Sequence, residues 1–236
     1  MKLIPCVGAI SALLLASCAG PLGSHSEYGD RAGPKAFRTV VIDAGHGGKD
    51  SGARGRLRGQ PEKTVALDIA QRLRDELRSS FKVTMTRTSD TFVPLDERVR
   101  IANRSGDAVL ISIHLNDGTR RLAGPETYWW RVDSYSLAKR VHAAMRSVAV
   151  GSRNQGMVRR RLRLTRNPEI PCILVECGYL SNATDSAYLA TGSYRQRLAQ
   201  AIASAIRDQS AHGDAGYSPL PKPIYAAKSS AHDARE

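Results

Sequence analysis

Cysteine is scarce in this chain: four residues in 236, with no zinc-finger spacing among them. Acidic residues are also in deficit, 22 against 35 Lys and Arg, so the formal net charge is +13. That balance favours an anionic partner such as nucleic acid, a membrane surface or an acidic polymer. No nucleic-acid module is legible, however, with neither an aromatic RNP motif nor a recognition helix, and no nucleic-acid partner is expected. HExxH is absent, which excludes a helix-borne zinc-protease site of that type. No internal repeat is visible. The mostly apolar run 3–15 is too short to span a bilayer. Length and an ordinary composition, 42% hydrophobic and 24% charged, suit one α/β domain with tails.

The N-terminus has the order of an export signal, with Lys2 ahead of the apolar run. That run ends in Leu15-Ala16-Ser17-Cys18, which resembles the lipobox of bacterial lipoproteins. The resemblance implies cleavage after residue 17, lipid on Cys18, and, with Ala19 next, the outer rather than the inner membrane. An ordinary secretory signal with a chance cysteine is the alternative; both readings export the chain. Cys172 and Cys177 then remain, about 16 Å apart if extended, whereas a disulfide needs Cα atoms within about 7 Å. Buried free thiols are expected. Residues 18–36, rich in Gly, Ser and Pro, read as a flexible tether. The domain spans 37–209, and 210–236 loses periodicity and reads as disordered.

Val40, Val41 and Ile42 have the composition of a strand buried on both faces, and Val40–Asp50 reads VVIDAGHGGKD. Gly45, Gly47 and Gly48 surround His46, letting the backbone turn tightly beside an uncrowded imidazole. Pro61 starts a helix led by Glu62. Lys82–Arg87 alternates as a half-buried strand, and 94–105 is a second helix, with Arg98 and Arg100 read as outward. Ala108–His114 is another buried strand. Pro125–Trp130 is one more, Glu126 and Tyr128 sharing a face. A long helix covers 134–150, a basic strand or loop 159–164, a buried strand Ile173–Glu176, and a closing helix Ser193–Gln209.

Three strands thus end in His46, His114 and Glu176, and one helix begins with Glu62. Parallel strands present their carboxyl ends on one sheet edge, where α/β folds place ligands. Two histidines and a carboxylate with an open position form a common catalytic zinc set. A further carboxylate beside them is suited to general-base work on water. The architecture expected is a three-layer α/β domain, a central largely parallel sheet with helices on both faces.

VVIDAGHGGKDSGARG, the Glu62 helix, TRTSDTFVPLDERVRIAN, SIHLND and ILVECGYLSN occur here in that order. In this order they resemble the zinc-dependent N-acetylmuramoyl-L-alanine amidases, the amidase-3 group, over roughly 37–209. The resemblance implies that His46, Glu62 and His114 bind one Zn²⁺ and that Glu176 is the catalytic carboxylate. It also implies peptidoglycan as substrate, cleaved between the N-acetylmuramic acid lactyl group and L-alanine of the stem. The setting would be the periplasm, with the lipid anchor in the outer membrane. The long helical insertion of autoinhibited members has no counterpart here, and no cell-wall binding repeat is recognisable. Rival readings are a non-catalytic, lipid-anchored peptidoglycan binder and a zinc hydrolase of a related amide.

Lesser residues carry simpler expectations. Asp43 either orients His46 or caps the turn, and Asn116 holds loop or substrate. His25, His142, His212 and His232 read as surface histidines, Trp129 and Trp130 as core and sheet surface. Arg120-Arg121 and Arg159-Arg160-Arg161 lie near the expected site edge, as a solvated face or as a groove attracting carboxylate-rich stems.

Overall fold

The structure is a computed structural model that describes residues 29–54, 60–149, 153 and 155–231. The signal segment 1–17, Cys18, His25, His232 and most of the tether lie outside the described residues. Six strands form one sheet: β1 (Thr39–Ala44), β2 (Lys82–Met85), β3 (Ala108–Asn116), β4 (Glu126–Trp129), β5 (Gly156–Arg159) and β6 (Cys172–Tyr179), in the order β2-β1-β3-β6-β4-β5. The first four of that order run parallel, β4 is antiparallel to β6, and β5 follows β4. The sheet is therefore mixed but largely parallel, as the strand composition implies.

Burial on both faces explains why β1, β3 and β6 read as continuous apolar runs. Val40, Ile42, Ile111 and Val175 meet α1 (Glu62–Leu77), α3 (Tyr135–Val148) and α6 (Gly192–His212) on one face. Val41, Leu110 and Cys172 pack on the other against α2 (Leu95–Asn103) and the short α4 (Arg163–Arg166). A further short helix, α5 (Ala183–Leu189), follows β6. Both cysteines are buried free thiols. At the start of α1, Pro61 is the flanking residue and Glu62 the first helical one, a shift of one position.

Three expectations change. Arg98, read as outward, is 2% exposed, because its long side chain runs back beneath the end of β1. His142 is buried, its Nδ1 3.1 Å from Thr127 Oγ1, so it joins α3 to β4 rather than facing solvent. Arg159 and Arg161 turn away from the carboxyl edge of the parallel strands, toward Lys222 and Ala227, whereas Arg160 lies over the Tyr128 ring, 5.7 Å from its centroid. Antiparallel pairing carries β4 away from that edge, and Arg159 stands opposite Trp129, three residues from Glu126. Arg120-Arg121 do lie there, exposed in the loop between β3 and β4.

Beyond His212 no helix or strand forms among the described residues, in keeping with lost periodicity, yet the segment is tied down. Arg159, Arg161, Arg163 and Arg166 donate to the carbonyls of Lys222, Ala227, Ser230 and Ala226. Asn167 exchanges two hydrogen bonds with the Ser229 backbone. At the other end, Gly33 N–H donates to Asp214 and Ala36 N–H to Ser210, so ordered contacts begin ahead of Phe37.

Candidate metal centre

The site is built where β1 stops. His46 takes the left-handed conformation, φ 59°, which costs a non-glycine residue energy unless its surroundings impose it. Two buried arginines impose it. Arg98 donates to Asp43 Oδ1, Ala44 O and His46 O, each at 2.7 Å, and to Val93 O. Arg87 donates to Ala44 O at 2.9 Å and, through Nη2, to Gly45 O at 2.7 Å and Lys63 O at 2.8 Å. Every carbonyl from Ala44 to His46 is thereby held. Asp43 neither orients His46 nor caps the turn. It is the counter-charge of Arg98 and also accepts from Thr86 and Ser112. Burial alone would raise its carboxyl pKa; Arg98, Ser112 and Thr86 together hold it below the usual range.

The residue that orients His46 is Asp50, its Oδ2 2.8 Å from Nδ1, which turns Nε2 toward Glu62 Oε1 at 3.0 Å. The same Oε1 lies 2.9 Å from His114 Nδ1 and accepts from Leu115 N–H, while Oε2 accepts from Ala53 N–H. Both imidazole rings thus meet one carboxylate at the start of α1, edge to face, 4.8 Å between centroids. Two glycines make the close approach feasible. A Cβ on Gly45 would stand 2.5 Å from the His114 ring, and one on Gly52 2.5 Å from Glu62 Oε2.

One ligand atom from each of His46, Glu62 and His114 lies within 4.8 Å of the others. Two imidazoles with one carboxylate are a fitting donor set for Zn²⁺. The surroundings favour positive charge at this point. Burial opposes protonation of His46, yet the Glu62 and Asp50 carboxylates outweigh it and push its pKa up to about 9. Burial likewise opposes charge on Glu62, and the two imidazoles still hold it well below the ordinary carboxylate range.

Glu176, 1% exposed, stands in register with His114 across β3 and β6. Alternation puts both on the face that carries Ser112 and Asp43. Just beyond, the ladder slips, with Asn116 opposite Tyr179, a bulge of the kind that re-aims side chains beside sites. On the other side of Glu176 lies Glu126 of β4, directly opposite in the antiparallel register. Asn116, expected to hold loop or substrate, donates to Glu126 Oε2 and accepts from Asp117 N–H. All four expected residues, His46, Glu62, His114 and Glu176, thus come to one edge. The sequence alone assigns no role to Asp50, Arg87, Arg98 or Glu126. For Asp50 the available signal is a carboxylate four residues after His46. Glu126 is found only once β4 is known to pair with β6.

Known proteins resemble the chain over this same fold. The probable cell wall amidase LytH of Staphylococcus saprophyticus is 34% identical over 190 residues, covering 79% of this chain and 63% of LytH. The chain therefore spans less than two thirds of that relative. The catalytic domain of CwlV, an N-acetylmuramoyl-L-alanine amidase from Bacillus (Paenibacillus) polymyxa var. colistinus, superposes with a TM-score of 0.70. It is 37% identical, over 73% of this chain and 97% of the other. The amidase AmiC2 of Nostoc punctiforme gives the same TM-score and identity over 74% and 97%. The family model Amidase_3, N-acetylmuramoyl-L-alanine amidase, matches residues 40–208, from the first buried strand to the last helix, and the chain belongs to that family.

Proposed function

We propose that the chain is an N-acetylmuramoyl-L-alanine amidase, hydrolysing the amide between the N-acetylmuramic acid lactyl group and L-alanine of the peptidoglycan stem. The observation that carries the reading is the convergence of His46, Glu62 and His114 beside the buried Glu176. In it His46, Glu62 and His114 hold one Zn²⁺. When bound, zinc polarises the scissile carbonyl and makes a water acidic enough to deprotonate near neutrality. Glu176 takes a proton from the attacking water and delivers it to the departing amine. It suits both tasks because the register with His114 puts it across the strand pair from a ligand. Asp50 and the Glu62 carboxylate fix the His46 ring, and Arg87 and Arg98 hold its backbone, so the ligand geometry exists before substrate arrives. The lipobox-like Leu15–Cys18 and the cell-wall relatives support action outside the cytoplasm, and the lipobox followed by Ala19 supports anchoring as a lipoprotein in the outer membrane.

The test is a digest of purified cell wall by the zinc-loaded protein, followed by mass spectrometry. Free stem peptides with intact glycan strands are expected. Cleaved sugars or cleaved cross-bridges would refute the reading, and an unaltered wall would favour the binding protein instead.

A further inference from the structure

His114, Glu176 and Glu126 form a row across three neighbouring strands, each opposite the next in register. Directly opposed residues share a face with Cβ atoms about 5 Å apart. Glu126 thus sits beside Glu176, on the side away from the His46–Glu62–His114 cluster. Asn116 Nδ2, Tyr128 Oη and Tyr179 Oη all donate to Glu126 Oε2, at 3.0, 2.9 and 3.1 Å. Three donors on a single oxygen suit an ionised carboxylate and fix its plane. Burial first, and then the Glu126 charge, hold both tyrosine hydroxyls in their protonated, donating form. Unlike Glu176, Glu126 is only partly buried, so part of it is open to solvent. A fixed carboxylate is of use to catalysis there if a donor or a cation arrives beside Glu176.

We propose that Glu126 is a substrate-positioning residue on the leaving-group side, its Oε1 accepting from the first stem-peptide N–H and then facing the alanyl ammonium. This rests on the amidase reading. In that reaction the water oxygen joins the lactyl carbon and the C–N bond breaks. Both water protons end on nitrogen, giving a carboxylate and an ammonium. The positive charge forms on the nitrogen that Glu176 protonates, and the row puts Glu126 directly beside Glu176. Cation and carboxylate then form a charge-assisted contact, stronger than one between neutral groups.

The experiment measures binding of L-alanyl-D-isoglutamine and of its N-acetylated form to the zinc-loaded protein by calorimetry. The wild type should prefer the free amine, and Glu126→Gln should lose that preference by about tenfold, the scale of one hydrogen bond to a charged group. Zinc content and melting temperature should be retained. KM for a muramoyl dipeptide should rise about tenfold, with kcat less affected. Tyr179→Phe, which keeps the carboxylate and removes one donor, should lose less. Equal binding of the two peptides by the wild type, or an intact preference in Glu126→Gln, overturns the proposal. So does a loss of preference accompanied by loss of zinc or stability. A wild type that prefers the amine yet cleaves no muramoyl peptide refutes the amidase reading, while the binding comparison still decides the role of Glu126.

Discussion

Replacing Arg98 with methionine keeps most of the side-chain volume and removes the guanidinium that faces the fully buried Asp43. Breaking a buried ion pair by deleting one partner costs about 3–5 kcal/mol, because the other charge is left in a poor solvent. Asp43 keeps two hydroxyl donors, Thr86 and Ser112, each at 2.6 Å, which places the expected loss near the lower bound, about 3 kcal/mol. For a domain of this size that is a fall in Tm of about 6–12 °C. Loss of the bonds to Ala44 O and His46 O also frees the His46 turn, so zinc affinity should fall although no ligand has changed. The assay is urea unfolding at pH 7.5, with and without chelator, together with a zinc titration. Its sign with pH follows from Asp43. In the wild type a depressed folded pKa contributes stability above the unfolded value and loses it as pH falls through the folded one. In the variant, burial loses its main opponent and only Ser112, Thr86 and His114 still act against it, so the folded pKa rises and that contribution shrinks. The gap between the two proteins should therefore narrow as pH is lowered toward about 4. Adding Asp43→Asn should recover part of the loss. A cost below about 1 kcal/mol, or a double variant worse than the single, would refute the buried-pair reasoning.

Glu176→Gln keeps the shape of the side chain but cannot accept a proton, so zinc and wall binding should persist while stem-peptide release falls about 10²–10⁴-fold. An active variant rejects the mechanism, and an inactive one without zinc moves Glu176 among the ligands. His114→Ala should bind little zinc and lose the stabilisation that the metal confers on the wild type, read as an absent Tm shift on zinc addition; full occupancy would sink its assignment as a ligand. Burial pushes the Cys172 thiol up to about 12 and also raises Cys177, so neither should react with a thiol reagent at pH 8 until the protein unfolds. Rapid labelling of the native protein would contradict this.

The central strands and His46, His114 and Glu176 are legible because a β-branched run closed by a polar residue suits a buried strand whose end reaches the sheet edge, and Glu62 because Pro61 marks the start of its helix. Asp43 and Arg98 are not. A charged residue on a helix reads as outward by default, and only the structure shows Arg98 reaching a carboxylate 55 positions away. His142 fails in the same way, since its partner Thr127 is on a strand whose neighbours the sequence does not name. The position of Arg159–Arg161 depends on the direction of β4 and β5, which alternation cannot reveal. Glu126 falls on the correct face with Tyr128, but its importance comes from an antiparallel register invisible in one dimension.

The contact between the segment after α6 and the arginines around α4 is made through main-chain oxygens, of Lys222, Ala226, Ala227 and Ser230. Every amino acid supplies that oxygen, so the guanidinium groups read where the chain passes and do not read which residues compose it. Exchanging side chains at those four positions leaves the acceptors in place as long as the backbone keeps its path. Removing a single residue between Lys222 and Ser230 moves every later acceptor out of phase with its donor. At those four positions the segment is therefore tolerant of spelling, and throughout it is intolerant of length.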